Sequence, residues 1–256
     1  MELLDQVLYI YAFIIGCCIA SFVNVIVYRL PKEESFVKGR SYCPTCNHTL
    51  AWYDLLPVLS YIIVRGKCRY CRAKIPVKDT LLEVFGGMMA MFCYHHYGVS
   101  WDMILVFVII MIFVAISFID LETMTIPDGL LIAFFIITMF MCFLHPEVAI
   151  LDRIIGFFSI SVFMIIVNRI VADSFGGGDI KFIAVAGLLL GYKATLLAAF
   201  ISIILAGMYA SYLLITKKAK TGAHIAFGPY LAIGILLSLF YHEAILSFYL
   251  SLFTFT

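Results

Sequence analysis

Long apolar stretches, separated by short polar breaks, run through almost the whole chain and constrain its fold more than any other feature. A helix that crosses the hydrocarbon core of a bilayer needs about 20 mostly apolar residues. The pattern therefore predicts an all-α, polytopic membrane protein with about eight transmembrane helices. The candidate spans are 6–28, 81–98, 101–119, 129–145, 150–171, 180–190, 194–215 and 226–242. The apolar residues 243–256 are too short to predict a ninth span.

The composition also favours a lipid environment. Only 13% of the 256 residues are charged and 64% are hydrophobic, whereas soluble domains have about 25% charged residues. So few charged side chains cannot cover a water-facing surface of this size. The formal net charge of +1 argues against a nucleic-acid-binding protein held by a broad basic field. We therefore expect the lipid bilayer as a partner, and no nucleic acid.

Basic residues predict the orientation of the chain in the membrane. Residues 29–80 form a long polar loop that holds ten of the 17 Lys and Arg. By the positive-inside rule this loop is cytoplasmic, and the acidic residues before the first span argue against a cleaved signal peptide. If successive spans cross the membrane in opposite directions, both termini lie outside. Three further loops then lie inside, at 120–128, 172–180 and 216–225. The last of these carries Lys217, Lys218 and Lys220, in agreement with that orientation.

Four of the eight cysteines form two CxxC pairs in the polar loop, Cys43 with Cys46 and Cys68 with Cys71. Two residues between cysteines let a tight turn aim both sulfurs at one ion, and two such turns complete a tetrahedron. A loop of about 50 residues is also too small to fold on a hydrophobic core alone. The spacing favours a structural zinc-ribbon-like site over disulfides or a redox-active pair. His48 is predicted as a surface residue rather than a ligand.

Two acidic residues at the predicted cytoplasmic membrane edge are candidates for chemistry, because ionisable groups in apolar spans are costly and usually functional. Asp120 ends the third span, and Asp179 precedes the sixth. Two carboxyl groups brought together can activate water for attack on a peptide carbonyl, one as base and the other as acid. The residues alone leave open whether each only caps or ends a helix. Asp128, after Pro127, is predicted to cap the N terminus of the fourth span.

Three glycines, residues 176–178, stand directly before Asp179. We expect them to adopt an open backbone that lets the chain approach a neighbouring helix or an extended peptide closely. The sixth span that follows has eleven residues, from Ile180 to Leu190. They form about 16 Å of helix, about half the thickness of the hydrocarbon core. If the outer end of this span reaches the far surface, Asp179 lies below the membrane surface.

Motifs along nearly the whole chain resemble the type IV prepilin peptidases. In the first half the similar positions are Gly16, Ser21, Phe22, Asn24, Val25, Tyr28, Arg29, Leu30, Pro31, the two CxxC pairs, Trp52-Tyr53-Asp54, Pro57, Leu59-Ser60-Tyr61 and Arg65-Gly66. In the second half they are 120–128, Gly177-Gly178-Asp179-Ile180-Lys181 and Phe227-Gly228-Pro229-Tyr230. Two departures, Cys17-Cys18 and Ala226 in place of the usual proline, touch neither aspartate.

The resemblance implies a GxGD-type aspartyl endopeptidase of the bacterial cytoplasmic membrane. Such enzymes cut the basic leader from prepilin or pseudopilin precursors on the cytoplasmic side, and they methylate the new N terminus with S-adenosylmethionine. The catalytic pair carries over to Asp120 and Asp179. Supporting roles carry over to Asp128, Gly177, Gly178 and Lys181.

The methyltransferase half is less defined by the resemblance. Glu83, at the start of the second span, matches an acidic position of the family and is a candidate to orient an amine or the cofactor sulfonium. A carboxylate near a helix N terminus is an alternative explanation for the same residue. The glycine-rich cofactor loop of soluble methyltransferases is not visible, so other cofactor-binding residues stay unassigned.

The predicted organisation has three parts: a first transmembrane helix at 1–28, a cytoplasmic four-cysteine, zinc-ribbon-like domain at 29–80 and a transmembrane aspartyl peptidase domain at 81–256. The first two would form the methyltransferase half. Two other function classes stay open. One is a transport or binding protein whose aspartates coordinate a proton or cation, and the other is a membrane thiol oxidoreductase that uses the CxxC pairs.

Overall fold

The structure, a computed structural model, describes residues 2–171, 174–217 and 224–251. Lys218 and Lys220, which supported the predicted orientation, lie outside the described residues. The helices are α1 (Glu2–Arg29), α2 (Leu59–Ile63), α3 (Val77–Tyr97), α4 (Trp101–Thr123), α5 (Asp128–Leu144), α6 (Ile150–Ile170), α7 (Gly177–Leu190), α8 (Tyr192–Ile215) and α9 (Gly228–Ser251). Within the described ranges there is no β-strand, only two isolated β-bridges. The all-α prediction is confirmed.

Five helical segments are long and apolar enough to cross a membrane, judged by length and composition. They are Leu3–Lys32, Trp101–Thr123, Ile150–Ile170, Tyr192–Ile215 and Gly228–Tyr249. The shorter apolar helix α5 has 17 residues and α7 has 14, so the count of eight spans stays a prediction. Helix α9 continues to Ser251, and residues 243–251 therefore extend the last helix rather than begin another element.

The chain forms two compact units, Met1–Ala115 and Ile116–Thr256. In the first unit, α1 packs on α3 through glycines. A Cβ atom at Gly16 would lie 2.5 Å from the carbonyl oxygen of Gly86, and one at Gly87 would lie 2.7 Å from Sγ of Cys17. Such contacts bring two helix backbones together without bulky side chains between them, as small residues do in membrane proteins.

In the second unit, the short helix α7 packs against α5, α6, α8 and α9. Its side chains from Phe182 to Ala186 are buried. The crossing with α6 is close because it is formed by glycines: a Cβ at Gly156 would lie 2.5 Å from the carbonyl oxygen of Gly187. Helix α7 is therefore an internal helix that carries Asp179 at one end.

The other end of α7 is held by a buried arginine of α6. Fourteen residues make a helix about 21 Å long, which is shorter than the roughly 30 Å hydrocarbon core. The C-terminal carbonyls of α7 therefore need donors from within the protein. The Arg153 guanidinium donates to the carbonyl oxygens of Leu188 at 2.9 Å, Leu189 at 3.3 Å and His145 at 2.7 Å.

We expect Arg153→Met to lower the free energy of unfolding by about 3 kcal/mol, because it leaves buried carbonyls without a charged donor. Denaturant unfolding of the purified protein in detergent measures this change. Arg169→Ala removes an exposed arginine from the last turn of the same helix, and we expect it to change stability by less than about 0.5 kcal/mol. Equal effects of the two substitutions would contradict a capping role for Arg153.

Candidate active site and metal cluster

Asp120 lies in the last turn of α4, and its side chain is buried with only 4% of its surface exposed. Its Oδ2 accepts a hydrogen bond from the backbone N–H of Gly228 at 2.8 Å. Gly228 is the first residue of α9, so the carboxylate lies at a helix N terminus, where the helix dipole favours negative charge. A Cβ at Gly228 would lie 2.8 Å from Oδ2. A side chain at this position would therefore displace the Asp120 carboxylate.

Asp179 is the third residue of α7. Its Oδ2 accepts a hydrogen bond from the backbone N–H of Gly176 at 3.2 Å. Its Oδ1 is buried and has no hydrogen-bond partner among the described residues. A buried polar atom without a partner is rare in native proteins, and a catalytic role is one explanation.

The structure brings the two predicted aspartates together. They come from α4 and α7, and the carboxyl groups are within range of a direct electrostatic interaction. In each, Oδ2 is anchored by a glycine N–H that precedes or begins a helix. This arrangement can hold two carboxyl groups in fixed orientations while their other oxygens remain available for a water molecule and a substrate.

The predicted supporting residues Asp128 and Lys181 form an ion pair, with 2.6 Å between Oδ1 and Nζ. Both side chains are exposed. The prediction that Asp128 caps the N terminus of its helix was wrong: Pro127 occupies the cap position without a side-chain cap hydrogen bond, and Asp128 is the first helical residue. Its carboxylate is held by Lys181 of α7 instead.

The prediction of an open backbone at the three glycines was only partly correct. Gly176 is extended, but Gly177 and Gly178 are the first two residues of α7. The Asp179 carboxylate reaches back to the Gly176 N–H and so satisfies an N-terminal donor, which allows the helix to begin at glycines. The expected close approach occurs at Gly178, where a Cβ would lie 2.8 Å from Cβ of Ile126.

The four loop cysteines gather in one cluster in the first unit. Their Sγ atoms all lie within 4.8 Å of one another, and those of Cys43 and Cys71 are 3.8 Å apart. A tetrahedral ion with Zn–S bonds of about 2.3 Å requires sulfurs about 3.8 Å apart. The cluster therefore has the size and ligand chemistry of a structural zinc site. All four cysteines are free of disulfide bonds.

The two CxxC turns have the same backbone pattern. In each, the residue before the first cysteine forms a β-bridge with the residue three after the second, Tyr42 with Thr49 and Lys67 with Lys74. The residue directly after the second cysteine has a positive φ, 55° at Asn47 and 62° in the other turn. Two equivalent turns thus present two pairs of sulfurs to one point. His48 is exposed, as predicted, and its ring contacts that of Tyr70 with 3.6 Å between centroids.

The thiols of the cluster differ in acidity. Burial opposes ionisation of Cys43, but hydrogen bonds from the backbone of Cys46 and Thr45 and from neighbouring thiols lower the pKa of Cys43 to about 6. A hydrogen bond from the backbone of Ala73 favours the thiolate of Cys71, yet burial and the neighbouring thiols raise the pKa of Cys71 to about 11. Metal binding would replace the remaining thiol protons.

Glu83, the predicted cofactor residue, lies in α3 and contacts the loop. Its Oε2 accepts a hydrogen bond from the backbone N–H of Val58 at 2.8 Å. Val58 has φ 62° and ψ −50°, and the N–H of Leu59 donates to the carbonyl oxygen of Pro57 at 2.6 Å. These features define a γ-turn with a positive φ, a rare and strained conformation, above all at a β-branched residue.

Comparisons with known proteins agree with this site. The model of the bacterial peptidase A24 N-terminal domain matches residues 14–97, and the model of the type IV leader peptidase family matches residues 105–211. The chain belongs to the type IV leader peptidase family. The first match contains the cysteine cluster and Glu83, and the second contains both Asp120 and Asp179. Together with the apolar helices, membership identifies a multi-pass membrane protein.

Several relatives are named prepilin leader peptidase/N-methyltransferase. That of Bacillus subtilis (strain 168) is 29% identical over 242 residues, which are 94% of this chain and 97% of the relative. That of Stutzerimonas stutzeri is 27% identical and covers 93% of this chain and 92% of the relative. For the Myxococcus xanthus relative, the 29% identical region is 73% of this chain and 57% of that protein. No solved structure matches the chain.

Some contributors to the site were not predicted from the sequence. Gly228 belongs to a motif that resembles the family, but it lies outside the range matched by the leader peptidase model. A glycine directly before Pro229 and an apolar helix is a signal for close backbone approach at a helix start. The γ-turn at Val58 has no such signal, since valine disfavours a positive φ.

Proposed function

We propose that this member of the type IV leader peptidase family is a prepilin leader peptidase and N-methyltransferase of the bacterial cytoplasmic membrane. Its substrates would be prepilin or pseudopilin precursors. The observation that carries the proposal is the pairing of Asp120 and Asp179, each anchored by a glycine N–H. The basic loop 29–80 supports a cytoplasmic location for the cysteine cluster and for both aspartates.

The proposed cleavage uses the carboxyl groups as an acid–base pair. Two interacting carboxyl groups favour a state in which one proton is held between them. The ionised group takes a proton from water as the water oxygen attacks the scissile carbonyl carbon, and the protonated group donates to the carbonyl oxygen. When the tetrahedral intermediate collapses, the C–N bond breaks, and the carboxyl group that took the water proton donates it to the leaving nitrogen. The other carboxylate takes a proton from a hydroxyl of the intermediate, so that a new carboxyl terminus forms and one proton is again shared by the pair.

The glycine N–H groups contribute by fixing orientation. Gly228 holds Oδ2 of Asp120, and Gly176 holds Oδ2 of Asp179. Fixed carboxyl groups need little rearrangement when the reaction begins, which is how pre-organised sites lower barriers. The Asp128–Lys181 ion pair joins α5 to α7 close to this point, so we propose that it positions the start of α7.

Two further groups belong to the proposal. A zinc ion would be held by Cys43, Cys46, Cys68 and Cys71, where it would stabilise the loop. S-adenosylmethionine would supply the methyl group for the new N terminus. The gathering of all four thiols in one cluster favours metal binding over thiol oxidoreductase chemistry, in which a single pair suffices.

Mass measurement of a processed precursor tests the proposal. The purified full-length chain is incubated in detergent with a prepilin, with and without S-adenosylmethionine. We expect removal of the leader in both reactions and addition of one methyl group to the new N terminus only with the cosubstrate. An intact precursor in both reactions would contradict the peptidase assignment, and a cleaved but unmethylated product in both would contradict the methyltransferase assignment.

A further inference from the structure

We infer that a cavity in the unit Met1–Ala115 is the binding site for S-adenosylmethionine, an inference that rests on the proposed methyltransferase function. The cavity has a volume of about 400 Å³, within the range of roughly 300–1,000 Å³ for small-molecule sites. Residues from the C-terminal half of α1, the cysteine loop and the first turns of α3 line it. Its walls combine carboxylates with aromatic rings, which are the groups that a sulfonium cation and an adenine ring require.

Two of the acidic residues in the wall belong to α3. Asp79 and Glu83 are four residues apart and share one face of the helix, and both line the cavity. The Asn24 side-chain amide of α1 donates to the backbone oxygen of Asp79 at 3.0 Å. This hydrogen bond ties the first turn of α3 to α1 and so fixes two walls of the cavity against each other.

Glu83 is held so that one oxygen stays available. Its Oε2 accepts the N–H of Val58, whereas Oε1 accepts no hydrogen bond from the described residues. The strained γ-turn at Val58 aims this N–H at the carboxylate. A carboxylate in a fixed orientation on the wall of a cavity is suited to a cation that approaches from inside.

The guanidinium groups in the wall are already engaged elsewhere. Arg69 pairs with Asp54 at 2.8 Å, and Arg29 donates to backbone carbonyl oxygens of the loop, including that of Ser35 at 3.0 Å. Burial opposes ionisation of Asp54, but hydrogen bonds from Arg69 and Tyr70 hold the pKa of that carboxyl below its usual value. Both guanidinium groups are therefore engaged by oxygen atoms other than those of Glu83, and Lys74 is the remaining basic residue in the wall.

The aromatic part of the wall comes from tyrosines. Tyr28, Tyr61 and Tyr70 line the cavity, and the Tyr70 hydroxyl donates to Asp54 at 3.0 Å. Tyr61 packs directly on Gly66, where a Cβ would lie 2.8 Å from its hydroxyl oxygen. Aromatic rings offer flat faces to a purine and electron-rich faces to a sulfonium. One face of Tyr70 is already in contact with His48, and Lys32 lies over one face of Tyr28.

Calorimetric titration of the purified full-length protein in detergent tests the inference, with S-adenosylmethionine and S-adenosylhomocysteine as ligands. S-adenosylmethionine carries a methyl group that makes its sulfur a positively charged sulfonium, whereas the sulfur of S-adenosylhomocysteine is neutral. We expect Glu83→Gln to raise the Kd for S-adenosylmethionine at least about tenfold, because it removes a charge partner in a shielded site. The Kd for S-adenosylhomocysteine should change by less than about threefold, since the neutral sulfur gains little from a carboxylate.

Glu34→Gln is the matched control, because it removes the same charge from an exposed loop residue outside the cavity lining. It should leave both Kd values unchanged. Wild-type affinities for both ligands in Glu83→Gln would overturn the inference, while the proposed function would stand if the pilin were still methylated. A wild-type protein that neither binds S-adenosylmethionine nor methylates pilin would instead contradict the proposed methyltransferase function.

Hydrogen exchange of the wild-type protein gives a second measurement that does not depend on the folding of a variant. Binding of S-adenosylmethionine should slow amide exchange at residues 55–62 and 79–84, which contain the γ-turn and the acidic face of α3. Protection confined to the unit Ile116–Thr256 would place the ligand elsewhere and overturn the inference.

Discussion

Asp120→Asn and Asp179→Asn are each expected to reduce prepilin cleavage by a factor on the order of 10²–10⁴, the usual contribution of a general acid or base. The amide has nearly the same shape and can still accept the glycine N–H that anchors Oδ2. It cannot take or give the proton that hydrolysis requires. Initial rates of leader removal, measured with equal amounts of inserted protein, provide the test.

Asp102→Asn is the matched control for these variants, because it makes the same substitution in the first turn of α4, the helix that carries Asp120. The two positions are 18 residues apart in the sequence, which corresponds to about 27 Å of helix. We expect Asp102→Asn to cleave at close to the wild-type rate. Wild-type cleavage by either Asp120→Asn or Asp179→Asn would remove that residue from the proposed catalytic pair.

Cys43→Ser is expected to remove the bound zinc and to unfold the loop around it. Structural zinc contributes an apparent 10–16 kcal/mol to the folding of zinc-finger peptides, so a small loop with few buried residues should not keep its structure without the metal. Metal analysis of the purified protein should fall from about one zinc per chain to near zero. Limited proteolysis should then cut between α1 and α3, where we expect the wild-type protein to resist cleavage.

Cys18→Ser serves as the control for this experiment. Cys18 is an exposed thiol of α1 that does not belong to the cluster, so this variant should retain its zinc and its resistance to protease. Equal zinc contents in the two variants would show that Cys43 is not a ligand. Protection of the loop in zinc-free Cys43→Ser would show that the metal is not what stabilises it.

Hydropathy predicted the positions of the long helices well, because most boundaries coincide with a change from apolar to polar residues. Hydropathy failed where the first or last residue of a helix differs from that of the apolar stretch. Helix α9 runs through the exposed Glu243 to Ser251, since a charged side chain on an exposed face does not end a helix. Helix α7 begins at Gly177, which propensity disfavours, because Asp179 supplies the N-terminal hydrogen bond.

The sequence also predicted the side chains of the candidate site, but not the backbone hydrogen bonds that hold them. The CxxC spacing indicated one four-sulfur cluster, and the membrane-edge carboxylates stood out because charges are rare in the spans. Their pairing came from the family resemblance, since no local pattern encodes which carboxyl groups of different helices interact. The hydrogen bonds from Gly228 to Asp120 and from Val58 to Glu83 involve backbone N–H groups. The pattern of side chains in a sequence does not predict which distant backbone N–H group will donate to a carboxylate.

The cysteine loop contributes residues both to the four-cysteine cluster and to the proposed cosubstrate cavity. Cys43 and Cys68 belong to the four-cysteine cluster, and the same two residues line the proposed cosubstrate cavity. Neither Asp120 nor Asp179 belongs to the cluster, and both lie in the other compact unit. In a zinc-starved cell, methylation would therefore fail before cleavage does. Pilins that have lost the leader but carry no methyl group on the new N terminus would then indicate that the cell lacked zinc.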